Sequence, residues 1–223
     1  KNAELTSDGA TSVLVDKENN VWFTDLRGVD KITFHPFTNF TKKSGLLEDE
    51  VTAVLEYEPG NYIFGHNSGY TVYKNGKFIP FFFTGVEGTK TIVSRLLDLT
   101  VDDKGEIWGA AGYYGLVKID PDGSHTRVVS TMFSVTSVLY DKKYGLLVSS
   151  DSGLFVYKNS KIEKMDPSLK EGNFRKIFRF ENEIFLAGIN GIFKLSNGKL
   201  VNLIPNESVF NANVFSLLRD DNG

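Results

Sequence analysis

The chain has 223 residues, enough to bury a sizeable core and within the range of one all-β domain. Charged residues make up 24% and the formal net charge is −3, which excludes a strong field for nucleic acid or an anionic membrane. There is no cysteine for disulfides or thiol chemistry, and the longest apolar run, 78–83, contains Pro80 and is too short to span a bilayer.

Five times along the chain a similar phrase recurs. It is clearest as Val-Asp-Lys-Glu-Asn-Asn-Val-Trp-Phe-Thr at 15–24 and Val-Asp-Asp-Lys-Gly-Glu-Ile-Trp-Gly-Ala at 101–110. Weaker copies centre on Ile63, Leu147 and Phe185, which take the place of Trp22 and Trp108, and the five centres are nearly evenly spaced. In the first copy the pattern predicts strands at 12–15, 21–24, 29–34 and 37–40, which we letter a to d. The second has 51–57, 62–65, 70–74 and 78–83, and the third 96–101, 107–110, 116–119 and 126–129. The fourth has 135–140, 146–149, 154–157 and 162–165, and the fifth 174–180, 184–187, 192–195 and 200–203. Gly, Pro, Asn and Asp punctuate these runs, and no 3.6-residue apolar period is sustained.

A glycine follows each centre by six residues, or seven in the third copy: Gly28, Gly69, Gly115, Gly153 and Gly191. Such a glycine lets the chain enter strand c with positive φ. A period of about 40 residues carried by strands is the mark of β-propeller blades. The whole chain, 1–223, thus reads as an all-β propeller with blades at 11–41, 51–83, 95–129, 135–165 and 174–203, plus the start of a sixth at 213–223. Ending inside a repeat, it is expected to be a fragment of a larger propeller. Its terminal blades would be covered by further blades or by a second copy in a homodimer.

The phrase 45–55, Gly-Leu-Leu-Glu-Asp-Glu-Val-Thr-Ala-Val-Leu, leads on into Phe64-Gly65-His66-Asn67-Ser68-Gly69. With Trp22-Phe23-Thr24 and the Asp-Asn-Gly at 221–223, it resembles the regulator-propeller repeat of bacterial hybrid two-component proteins. That resemblance implies a periplasmic sensor region. It would detect an oligosaccharide or related small ligand and signal through transmembrane and kinase regions elsewhere in the protein. It implies no catalytic residue, no metal and no cofactor. Residues 20–24 are also similar to the repeat of streptogramin-type propeller lyases, which need a His and a Glu around a metal. A third alternative is a protein-interaction propeller without a small ligand.

Other motifs read as structure. His35, His66 and His125 occupy unrelated repeat positions and lack the spacing of metal ligands. Gly109–Gly115 is followed by a strand rather than the helix that a phosphate loop needs. Asp120-Pro-Asp122-Gly123 is a turn lacking the remaining oxygens of a calcium loop. In a propeller the b–c loops and the d–a linkers open on one face, and the b–c loops are the least repetitive segments here. They supply the candidate ligand-binding residues Asp25, Arg27, His66, Asn67, Tyr113, Tyr114, Asp151 and Asn190. The tyrosines would stack on sugar rings, and the polar side chains would bond hydroxyls.

Overall fold

The computed structural model describes residues 11–18, 20–24, 29–32, 39–84, 92–120, 122–129, 134–169, 172–189, 191–204, 214 and 216–217. Two compact units are present, 1–39 and 40–223. The first holds a three-stranded antiparallel sheet in chain order: β1 (Ser12–Val15), β2 (Val21–Thr24) and β3 (Val29–Ile32). Half of the fourth strand expected at 37–40 lies outside the described residues and residues 39–40 form no strand; Gly28 and most of the expected sixth repeat also lie outside.

The second unit holds four four-stranded antiparallel meanders, each in chain order. The second blade is β4 (Ala53–Glu58), β5 (Asn61–Gly65), β6 (Gly69–Lys74) and β7 (Lys77–Phe82). The third is β8 (Asp98–Val101), β9 (Ile107–Ala110), β10 (Leu116–Ile119) and β11 (His125–Val129). The fourth is β12 (Val135–Asp141), β13 (Gly145–Ser150), β14 (Gly153–Lys158) and β15 (Lys161–Lys164). The fifth is β16 (Phe174–Phe180), β17 (Glu183–Gly188), β18 (Gly191–Ser196) and β19 (Lys199–Asn202). A 3₁₀ turn, Lys42–Ser44, not foreseen from sequence, is capped by the Thr41 side chain, which accepts from the Lys43 N–H.

The recurring phrase has a physical cause in its aspartate. Asp16 Oδ1 accepts the N–H groups of Glu18 and Asn20, both at 2.9 Å, and its Oδ2 accepts the Trp22 indole N–H at 2.8 Å. Asp102 repeats this on Lys104, Glu106 and Trp108, each at 2.9 Å. One carboxylate thereby closes the a–b turn and fixes the indole on strand b. In the fourth blade Asp141 closes the turn the same way, and Arg179 of the next blade, 3.1 Å away, replaces the absent indole. Burial pushes the Asp102 carboxyl up, but the Trp108 and backbone hydrogen bonds outweigh it and hold it below its ordinary value.

All five repeat centres lie on strand b as expected. Ile63, Trp108 and Leu147 are buried, each within a cluster shared with the following blade. Trp22 and Phe185 are only half-buried, although they hold the same repeat position. Phe185 lies on the far face of the fifth blade, where Phe180 and Lys194 are its neighbours, and no sheet beyond it is present among the described residues. Where strand c begins, Gly153 and Gly191 hold φ at +137° and +116°, a region that side chains with a Cβ avoid.

Polar groups join the inner strands. Ala53, Asp98, Ser137 and Lys176 share one repeat position, each paired with the residue two places after its blade's centre. The buried Asp98 accepts from the Ser137 hydroxyl, from the Val138 N–H at 3.1 Å and from Lys176 Nζ at 2.6 Å. Ser137 in turn accepts the Ile177 N–H at 3.1 Å, so one cluster holds three successive blades. Thr52 and Thr136, again equivalent, donate at 2.6 Å to the Leu96 and Phe174 carbonyls of the next blade.

Two outcomes test this packing. Trp108→Ala should cost about 3–5 kcal/mol by urea denaturation, whereas Trp108→Phe, which keeps a ring but loses the indole bond, should cost about 1–3 kcal/mol. Asp98→Ala, which strands the hydroxyl and ammonium groups it joins, should cost about 2–3 kcal/mol, discounted for the part-exposed Lys176.

Candidate functional site

The b–c loops and d–a linkers of the second and third blades meet at one end of the strands. Leu96 N–H donates to the His66 carbonyl at 3.0 Å, which fastens the 92–97 linker to the second blade's b–c loop. Ser94 Oγ donates to the Ala111 carbonyl at 2.6 Å and accepts the Tyr114 N–H at 3.1 Å, which fastens the third blade's loop to the same linker. Gly112 passes so close that a Cβ there would lie 3.0 Å from Ser94 Oγ. The loop geometry is therefore set by backbone contacts and small polar groups.

On this support lies a planar polar network. Arg95 Nε donates to Asn67 Oδ1 at 2.6 Å, and its guanidinium pairs with Glu50. Asn67 Nδ2 donates to Glu50 Oε2 at 3.0 Å, and the Asn67 N–H donates to Glu48 Oε2 at 3.1 Å. Burial pushes the Glu48 carboxyl up, yet bonds from Ser68 and Asn67 prevail and it sits below its ordinary value. Tyr113 is 77% exposed on the third blade's loop, whose Gly112 lies against the Arg95 backbone, and Val93 is exposed on the linker. An amide, a guanidinium and a carboxylate beside an exposed ring can bond vicinal hydroxyls while the ring takes an apolar face.

The candidates read from sequence divide. Asn67, Tyr113 and Asp151 reach the surface, with Asp151 accepting from Ser152 Oγ at 3.1 Å on the fourth blade's loop. His66 and Tyr114 do not reach it, which corrects both. His66 is 0% exposed. Its Nδ1–H donates to the Glu50 carbonyl at 2.7 Å, and its Nε2 accepts from Thr71 Oγ1 at 2.9 Å, while that hydroxyl accepts the Leu47 N–H. His66 thus pins the 46–50 linker to strand c as a neutral imidazole, and burial lowers its pKa. Tyr114 stacks on Phe83 with ring centres 4.6 Å apart, beside His125 and Tyr70. Asp25, Arg27 and Asn190 lie outside the described residues. Glu48, Glu50 and Arg95 are not among the sequence candidates because they lie on the d–a linkers rather than the b–c loops, although both open on the same face.

No protein-family model and no curated protein sequence match the chain. Solved structures do. The extracellular domain of a B. thetaiotaomicron protein described as a hybrid two-component system superposes with a TM-score of 0.60 at 19% identity, over 91% of this chain and 29% of that one. A second extracellular domain from the same organism, described both as a one component and as a hybrid two component system, gives 0.57 at 17% identity, over 89% of this chain and 36% of that one. The chain has the fold of those extracellular domains. It spans about a third of their length. The WD40 β-propeller domain of Doa1 also superposes, with a TM-score of 0.53 at 12% identity, over 81% of this chain and 62% of that one.

The two adjacent tyrosines should separate cleanly. Tyr113→Ala should leave the melting temperature within about a degree, while Tyr114→Ala should cost about 3–5 kcal/mol, as thermal and urea denaturation would show. Two histidines, His66 fully buried and His125 half-buried, give a pH dependence. Burial depresses the pKa of both His66 and His125 below 6.5, so below that pH the unfolded chain binds more protons than the folded one. Their stabilising contribution is complete above 6.5 and is lost as pH falls toward their folded values. Urea titrations from about pH 7 to 5 should show stability falling by up to about 1.4 kcal/mol per pH unit for each histidine, with a shallower slope in His125→Phe.

Proposed function

We propose that this chain is a ligand-sensing propeller of an extracytoplasmic, periplasmic receptor, with the loop face around Arg95, Asn67, Glu50 and Tyr113 as its ligand contact. The single observation that carries the reading is that network of planar polar side chains, with Tyr113 exposed on the loop whose Gly112 lies against the Arg95 backbone. The ligand class it favours is an oligosaccharide, because vicinal hydroxyls satisfy paired donors and acceptors while C–H faces stack on an aromatic ring. The fold shared with extracellular domains of two-component proteins supports a signalling role. In that role the output belongs to transmembrane and kinase regions of a longer protein, and this chain performs recognition without chemistry.

Recognition here would be modest in affinity, since the network already satisfies itself and a ligand must trade with water for those bonds. Calorimetric titration of a panel of neutral and acidic oligosaccharides tests the reading. One member should bind, and Arg95→Ala and Tyr113→Ala should each weaken it about tenfold or more without changing the melting temperature. Binding that survives both substitutions would place the ligand elsewhere, and turnover of a bound sugar would replace the sensor reading with an enzyme.

A further inference from the structure

At the other end of the strands, where the a–b and c–d turns lie, the third and fourth blades flank a groove of about 580 Å³. Its floor is aromatic: Trp108 and Tyr157 lie with ring centres 5.4 Å apart, and Tyr140 lines the wall. Five lysines and three acidic residues surround it. Each acidic group is already engaged. Asp102 holds the Trp108 indole and two backbone N–H groups, Asp103 accepts from the Tyr140 hydroxyl, and Glu106 pairs with Lys118.

The remaining cations are not neutralised. The side chains of Lys104, Lys142 and Lys158 have no hydrogen bond or ion pair among the described residues, and Lys143 lies over the Tyr144 ring at 4.8 Å. The neighbouring groove between the fourth and fifth blades makes the contrast. It is built from the equivalent turns and shares Lys142 and Lys143, but its own two cations are paired, Arg179 with Asp141 and Lys194 with Glu183. The groove between the third and fourth blades presents Lys104, Lys142 and Lys158 unpaired beside an aromatic floor, on a chain whose net charge is −3.

We infer that the groove between the third and fourth blades is a second binding site, for a small ligand carrying two or more oxyanion groups on a compact body. The volume suits a molecule of about two sugar rings. The lysines supply point charges for phosphate, sulfate or carboxylate oxygens, and the floor takes an apolar face. The site stands apart from the Arg95–Tyr113 face and does not depend on what binds there.

Calorimetric titration with inorganic pyrophosphate, a sulfated disaccharide and its unsulfated parent tests this. Pyrophosphate, the sulfated disaccharide or both should bind one-to-one, and binding should weaken markedly between about 50 and about 300 mM NaCl. Which of the two binds separates a phosphate source from a sulfate source. The double variant Lys142→Glu/Lys158→Glu should lose about tenfold or more in affinity, while Lys77→Glu/Lys199→Glu, on the c–d turns of other blades, should change it less than about twofold. Lys104→Gln gives the same direction with a milder change should the double variant fold poorly. Absence of binding by both anions at low salt would overturn the inference. So would equal weakening by the two double variants, or equal affinity for the unsulfated parent.

Discussion

The inner strands of a propeller carry backbone groups and side chains toward one crowded axis, and that crowding has to be satisfied by polar contacts between blades. Here the Asp98 carboxylate does so for three blades at once. It takes the Ser137 hydroxyl and Val138 N–H from the fourth blade and the Lys176 ammonium from the fifth. Each partner is itself tied down: Ser137 also holds the Ile177 N–H. With the strands fixed in this way, the buried clusters between blades can pack Ile63, Trp108 and Leu147 against the next sheet. The threonine bonds from Thr52 and Thr136 repeat the principle at the strand starts.

Everything at the ends of the strands inherits that rigidity. On one end, loops that carry no regular structure are held by Ser94, Gly112 and His66 and present Arg95, Asn67, Glu50 and Tyr113 outward. On the other, turns closed by Asp102 and Asp141 flank grooves whose depth comes from the spacing of adjacent blades. A repeated scaffold with variable ends separates stability from recognition: substitutions at the tips need not disturb the inner strands. Tyr113 and Tyr114 show how narrow the division is. Adjacent in sequence, one points to solvent and the other stacks on Phe83 in the core.

The motif that made the repeat visible also explains its variation. Where a tryptophan occupies the strand b centre, an aspartate six positions earlier receives its indole N–H, at Asp16–Trp22 and Asp102–Trp108. Where Leu147 takes that place, Asp141 keeps its turn and recruits Arg179 from the next blade instead. Loss of the tryptophan therefore removes the letter by which the repeat is recognised while leaving the turn intact.

The strands, their order and most of their buried centres were legible in the chain alone, because alternation, turn residues and a regular period are local signals that each blade repeats. The same was true of which end of the strands carries irregular loops. The identity of the surface residues was not legible. His66 looked like a polar loop residue, yet Glu50 and Thr71, sixteen positions before and five after, bury it. Arg95 carried no signal in the sequence, and its partner Asn67 comes from the preceding blade. The unneutralised lysines of the groove depended on which carboxylates Trp108, Tyr140 and Lys118 occupy. Some of those contacts join strands and linkers of one blade and others, Arg95 to Asn67 and Tyr140 to Asp103, join adjacent blades, and periodicity names none of the partners. Sequence determined the repeated frame through short-range pattern; tertiary structure decided, by pairing side chains across strands and across blades, which groups are spent on holding the frame and which are left free to bind.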